Sequence, residues 1–271
     1  MTAFICVTCG TQYAPGDAPP HQCIICAEER QYVAATGQAW TTLKRLQRSH
    51  MPIFRYEGEL MAVGMAPAFA INQRALLVPS DGSNILWDLI SLVSDAMVDL
   101  INGIGGIKAI AISHPHYYTT LVEWSHAFGG IPVYLNAADR QWVTRPDPCV
   151  VFWEGDRLEI APGVTLVRTG GHFDGGTVMH WAAGAGGRGA LLSGDLLQVV
   201  PDRRHLGFMR SYPNLIPLGA EAVRAVAARV APFAYDAIYG AFWDRVIATG
   251  GKEAMAASVA RHIDWLGRPA P

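Results

Sequence analysis

Three histidines and an aspartate, each placed just beyond a short apolar run, are the residues best suited to chemistry. His114 and His116 flank Pro115 after the run Ile107–Ile112, His172 follows Gly170-Gly171 after VTLVR, and Asp195 follows Ser193-Gly194 after ALL. Imidazole is the commonest metal ligand among side chains. Pro115 fixes its own φ and pushes His114 into an extended conformation. Residues i and i+2 of an extended segment face the same side, so the two rings are expected side by side. The alternative is a pair of loop histidines with no common task. The glycines beside His172 and Asp195 let the backbone turn sharply and let a ligand approach.

A second constellation lies at the start of the chain. Cys6, Cys9, Cys23 and Cys26 form C-x2-C-x13-C-x2-C, in which each tight turn presents two thiolates and the two turns complete a tetrahedral sulfur site. Gly10 permits the positive φ such a turn needs. The intervening TQYAPGDAPPHQ is too rich in turns to bury a core, so metal binding is expected to drive its folding. Disulfides are the alternative. The lack of a secretory h-region weighs against them. Residues 1–35 thus read as a zinc-ribbon-like segment whose metal is structural, with iron held rubredoxin-style as the other option. Residues 36–52 read as a linker with a helix over Thr42–Arg48.

The elements that must position the histidines follow from Pro52 onward. FAINQRALLVPS and NILWDLI are strand-like runs around the turn DGSN. Ser94 caps a helix with apolar residues at Met97, Val98, Ile101 and Ile104, closed by Gly105-Gly106. The strand ending before His114 comes next, then a helix over 118–128, the strand IPVYL and a short helix in AADRQWV. The second half is strand-rich (VVFW, DRLEI, VTLVRT, TVMHWAA, ALLS), with GAGGRG expected as a hairpin connection. A helix over 219–230, the strand YDAIY and a helix over 251–265 close the chain. This order implies an α/β domain of mixed sheets covered by helices.

Composition sets the outer bounds. The 271 residues are 51% hydrophobic and 16% charged, with a net charge of −2. Such a chain has ample core for one large domain and a small one. Near-neutral charge argues against nucleic acid as a partner. No apolar run is long enough for a bilayer span, and Cys149 is unpaired, so a soluble cytoplasmic protein is expected.

Residues 53–271 resemble the metallo-β-lactamase fold superfamily. Leu86-Trp87-Asp88 matches its first motif, His114-Pro115-His116 the start of its H-x-H-x-D-H, Gly171-His172 its third motif and Gly194-Asp195 its fourth. The resemblance implies an αββα sandwich with the site in a cleft at the edges of the two sheets. It also implies that His114, His116 and His172 hold one ion with Asp195 nearby. The second ion's ligands are replaced: Tyr118 and Thr119 stand where that motif has Asp and His, and Ala241 where the last His falls. One cleft metal is therefore expected, zinc first and iron as the alternative.

Three neutral imidazoles with an open or carboxylate-filled fourth position are typical of catalytic zinc. The expected function is a metal-dependent hydrolase of an ester, thioester or lactone-type bond, acting through metal-bound hydroxide. Asp195 completes the shell or takes the water's proton, and Asp88 buttresses the histidine loop. Tyr118, or its neighbour Tyr117, donates to a developing oxyanion. The competing readings are a catalytically degenerate metal-binding or partner-docking protein, and a nuclease, which the missing two-metal clamp disfavours. A small-molecule substrate is the expected partner, and a second copy of the chain is left open.

Overall fold

The computed structural model describes residues 1–268; the last three residues assigned to the main domain, 269–271, lie outside the described residues. Two large sheets stack on one another. The first has seven strands in spatial sequence order: Met51–Glu57, Leu60–Ala66, Ala75–Ser80, Ser83–Trp87, Ala109–Ala111, Val133–Asn136 and Val150–Trp153. Its first four strands pair antiparallel and the remaining pairings are parallel. The second runs Arg157–Ala161, Val164–Arg168, Thr177–Trp181, Ala190–Gly194, Ala237–Gly240 and Val246–Ile247, with one parallel pairing between Ala190–Gly194 and Ala237–Gly240.

Strand periodicity explains the layering, because alternate side chains leave opposite faces of a sheet. Leu76, Ile85 and Trp87 point inward to meet Leu166, Met179 and Leu192 of the other sheet. Their neighbours Leu77 and Leu86 point outward onto Met97, Ile101 and Trp124 of helices Asp95–Gly103 and Leu121–Ala127. Val178, Leu191 and Ile238 do the same against Val223, Val226 and Met255 of helices Ala220–Val230 and Gly251–Gly267. The result is the αββα sandwich that the resemblance implied. No helix among the described residues is long and apolar enough to cross a membrane.

Several local expectations change. Residues 69–74 of FAINQR form a loop, and GAGGRG makes a short helical turn rather than a plain hairpin. The stretch expected as a linker carries regular structure. Trp40–Thr42 pairs antiparallel with Phe4–Cys6, Thr42 caps the helix Leu43–Ser49 by accepting from Arg45 N at 3.3 Å, and Met51 already opens the first sheet.

One buried ion pair ties the first sheet to the loop after Gly240. Arg74, with a fully buried side chain, donates to Glu57 at 3.2 Å and to the Gly240 carbonyl. Glu57 in turn accepts from Asp244 N at 3.0 Å. Breaking such a pair strands the remaining charge at a cost of about 3–5 kcal/mol. Arg74→Met is expected to lower the unfolding free energy by that amount in urea titrations, whereas Arg55→Met, at the exposed side of Glu57, changes it by about 1 kcal/mol or less.

Candidate metal centres

The strand Ala109–Ala111 delivers its chain to the sheet edge, where Ser113 and His114 follow. His114 is extended (φ −169°), but Pro115–Tyr117 then close a 3-10 turn. The extended reading of His-Pro-His therefore fails at its second histidine. The two rings still meet, with centroids 5.0 Å apart at 75°. The turn has a second consequence: it sends successive side chains in different directions. Tyr117 packs on His114 at 4.4 Å, and its hydroxyl faces Asp195 without reaching hydrogen-bond geometry. Tyr118 instead points into the core and a small pocket with Thr11, Gln12 and Thr119. Tyr118, expected beside the reacting groups, thus faces away from the histidines, and Tyr117 is the tyrosine that lies against them.

His172 arrives through Gly170 and Gly171, both at positive φ; a side chain at Gly171 would press on Leu218 and Val226 at 3.1 Å. Gly194, at φ +55°, turns the chain into Asp195, and a Cβ there would meet Ser113 Oγ at 2.7 Å. These turns gather His114, His116, His172 and Asp195, all buried, with ligand atoms within 4.8 Å of one another. His114 Nε2 lies 3.2 Å from Asp195 Oδ1, and His172 Nε2 lies 3.2 Å from His116 Nδ1. A tetrahedral site with bonds of about 2.0–2.1 Å has ligand–ligand edges of about 3.3 Å, so the donor set fits a single small ion. His114 Nε2 and Asp195 Oδ1, which face each other across the cluster, are buried with no hydrogen-bond partner. Unpaired buried polar atoms are costly, which is consistent with a ligand completing them.

The supporting contacts orient the rings. His172 Nδ1 donates to the Met209 carbonyl at 3.0 Å, leaving Nε2 as the lone-pair donor. His114 Nδ1 meets Ser113 Oγ at 2.9 Å, and Ser113 N–H donates to Asp88 Oδ1 at 2.8 Å. Asp88 therefore supports the histidine loop through Ser113, a residue the sequence reading passed over although it sits between the strand and the first ligand. Burial pushes His172 down to about 4, and holds His114 and His116 well below the ordinary histidine range, so all three are neutral. Burial also pushes Asp195 up to about 7, with Tyr117 opposing. None of the second ion's donors is restored: Tyr118 points away, Thr119 Oγ1 donates to the Ile90 carbonyl, and Ala241 is buried in the core. The described residues offer only one further metal-ligand group, the four cysteines.

In that group the Cys6–Cys26 and Cys9–Cys23 sulfurs are 3.6 Å apart and form no disulfide. A tetrahedral ion with bonds of about 2.3 Å requires edges of about 3.8 Å. Gln38 bridges the two halves, donating to Cys6 Sγ at 3.2 Å and accepting from Cys23 N at 3.1 Å.

The cysteine segment also encloses the cleft. A cavity of about 300 Å³ opens over His116, His172 and Asp195, and Thr8, Gln31 and Tyr32 form one of its walls. Arg30 is buried with its guanidinium 4.2 Å over the Phe173 ring, which packs against all three histidines. Its carbonyl accepts from Ser211 Oγ at 3.0 Å, so the wall that Tyr212 and Pro213 give the cavity is pinned by the ribbon. Glu123, His126, His180 and His205 are engaged elsewhere, with Arg145, Asp147, the Ala234 carbonyl and Asp202 respectively.

Asp139 steadies the loop that carries His172. It is buried and accepts from Gly175 N at 2.9 Å, so close that Gly175 has no room for a Cβ. Burial raises its pKa from 3.8 to about 6, against the pull of that N–H. The folded chain thus holds this proton more tightly than the unfolded one. The resulting stability is complete below about 4 and is lost as pH rises to about 6. About two pH units correspond to about 3 kcal/mol. The wild-type minus D139N difference in unfolding free energy is expected to fall by about that much between pH 4 and 7, as measured by urea titration.

No family model matches the sequence. YmaE of Bacillus subtilis (strain 168) is 45% identical over 269 residues, covering 98% of this chain and 97% of its own. The structure of VMB-1 at pH 5.5 aligns with a TM-score of 0.59 at 12% identity, covering 80% of this chain and 98% of that one. The metallo-β-lactamase FIM-1 from Pseudomonas aeruginosa, in its mono-zinc form, gives 0.56 at 15% identity over 80% and 97%. TTHA1623 in a di-iron-bound form gives 0.52 at 22% identity over 71% and 96%.

Proposed function

The chain belongs to one family with YmaE and carries the metallo-β-lactamase fold, and we propose that it is a mononuclear metal-dependent hydrolase of an ester, thioester or lactone-type bond. The observation that carries this reading is the convergence of three neutral imidazoles and a carboxylate, with partnerless donor atoms, beneath a cavity large enough for a small substrate. His114, His116, His172 and Asp195 would hold the ion, with zinc the first candidate and iron the alternative. A divalent ion there supplies Lewis acidity and lowers the pKa of a coordinated water from 15.7 to about 7. FIM-1, crystallised in a mono-zinc form, is an example of this fold holding a single ion.

The chain's own residues do the rest. The Met209 carbonyl fixes His172 so that its Nε2 lone pair faces inward, and Ser113 holds the His114 ring in place. Tyr117, fully buried with its unpaired hydroxyl beside Asp195, is placed to hold a proton at that carboxylate. An ion held by the four cysteines would order the ribbon, which with Tyr212 and Pro213 forms part of the cavity wall.

The test is elemental analysis of the purified chain together with turnover of p-nitrophenyl acetate, an acyl thioester and a γ-lactone. Two ions per chain and hydrolysis that chelation abolishes and added zinc restores are expected. One ion per chain with no turnover of any of the three would defeat the proposal.

A further inference from the structure

We infer that Ser211 and Asn214 are positioning residues through which the cysteine ribbon sets the geometry of the cleft donors, so that an ion in the ribbon raises the affinity of the cleft for its own. This rests on the proposed reading of His114, His116, His172 and Asp195 as a metal site. The hairpin of strands Met209–Ser211 and Ile216–Pro217 touches that site twice. The Met209 carbonyl accepts from His172 Nδ1 at 3.0 Å, and the Tyr212 hydroxyl donates to the Asp195 carbonyl at 2.6 Å. One hairpin therefore orients two of the four candidate ligands.

The base of the hairpin is fixed by Phe208 and Leu218, both buried, but its tip has no core of its own: residues 213–217 are all exposed, Leu215 to 77%. The tip is fastened instead to the ribbon, just after Cys26. Ser211 Oγ donates to the Arg30 carbonyl at 3.0 Å, and Asn214 Nδ2 donates to the Glu29 carbonyl at 2.8 Å and the Gln31 carbonyl at 3.0 Å. Asn214 N joins the two contacts by donating to Ser211 Oγ at 3.1 Å. All three ribbon acceptors are backbone carbonyls, so they stand in place only while that segment is folded. Its core is little more than the cysteines and Ile25, which ties the folding to the ion. The ribbon is thus a two-state element, and the hairpin carries its state to His172 and Asp195. Linkage of binding free energies is reciprocal, so an ion in the cleft favours the loaded ribbon by the same factor.

The test is competition for cobalt(II) between the full-length chain and a chelator. Thiolate charge transfer reports the cysteine site and the weaker visible band the histidine site, so each affinity is read separately. In Asn214→Ala, at the exposed tip, the ribbon is expected to fill as in the wild type while the cleft binds at least about fivefold more weakly, the lower end of coupling between linked sites. Ser211→Ala repeats the measurement through the other contact. Cys9→Ser, which disables the ribbon site, is expected to weaken the cleft by about tenfold or more, as loss of a ligand's hydrogen-bond partner does. A lower melting temperature in Asn214→Ala with the cleft affinity unchanged is the mark of a purely structural role and overturns the inference, as does unchanged affinity in Cys9→Ser. Turnover is not the readout. A wild-type chain that fills only the cysteine site sinks the proposed function and the inference together, whereas a cleft that fills equally well in every variant sinks the inference alone.

Discussion

Replacing Cys9 with serine is expected to cost the protein its ribbon and to lower its melting temperature by about 10 °C or more. Structural zinc contributes about 10–16 kcal/mol to the folding of small metal-dependent units, because no preformed site exists in the unfolded chain. Here that energy organises a segment whose own core is little more than Ile25 and the cysteines, packed by Tyr13 and Trp40. The segment is not an appendage. Gln12 N donates to the Thr119 carbonyl at 2.9 Å, and Ser91 Oγ to the Gly10 carbonyl at 3.0 Å. Asn214 Nδ2 donates to the Glu29 carbonyl at 2.8 Å, and Arg30 covers Phe173. Losing only about 4 kcal/mol of this linkage would shift the transition of a domain this size by about 10 °C. Circular-dichroism melts and limited proteolysis of C9S read the effect, with early cleavage expected in the first forty residues. A C9S chain that melts with the wild type and resists protease would show that the ribbon folds without its ion.

This coupling marks the limit of what the sequence made legible. The sheets could be read because VTLVR, TVMHW and ALLS are apolar runs whose alternation survives burial on both faces. The candidate metal ligands could be read because histidine, cysteine and aspartate at strand ends have few other uses in such numbers. The hairpin Met51–Glu57 and Leu60–Ala66 was not individually picked out; six of the first strand's seven residues are exposed or intermediate with no strict alternation, so its pattern is weak. The direction of Tyr117 and Tyr118 depends on a 3-10 turn after Pro115, which single-residue preferences do not specify. Arg30, Gln31 and Asp139 were missed because their roles arise only when segments 36 to 181 residues apart come together. Arg30 and Gln31, in the ribbon, read as ordinary loop polarity.

In the cleft, His116→Ala is expected to take the metal content from two ions per chain to one and to reduce any hydrolysis by on the order of a thousandfold or more. Even hydrogen-bond partners behind a ligand cost 10–100-fold in metal affinity when removed, so loss of a direct nitrogen donor costs more. The remaining His114, His172 and Asp195 keep one edge of the site at 3.2 Å but lose the Nδ1 that faces His172. The fold should tolerate the change, because in the metal-free chain His116 Nε2 has no partner and little hydrogen bonding is surrendered. Metal-free H116A and wild type are therefore expected to melt within a few degrees of one another, whereas the zinc-loaded wild type rises above both by mass action. Tyr118→Phe supplies the contrast: its ring sits outside the cavity, so metal content and turnover should stay within about twofold of the wild type if site geometry governs both. Two ions retained in H116A would mean that this imidazole is not a ligand. A large loss in Y118F would return the second tyrosine to the chemistry.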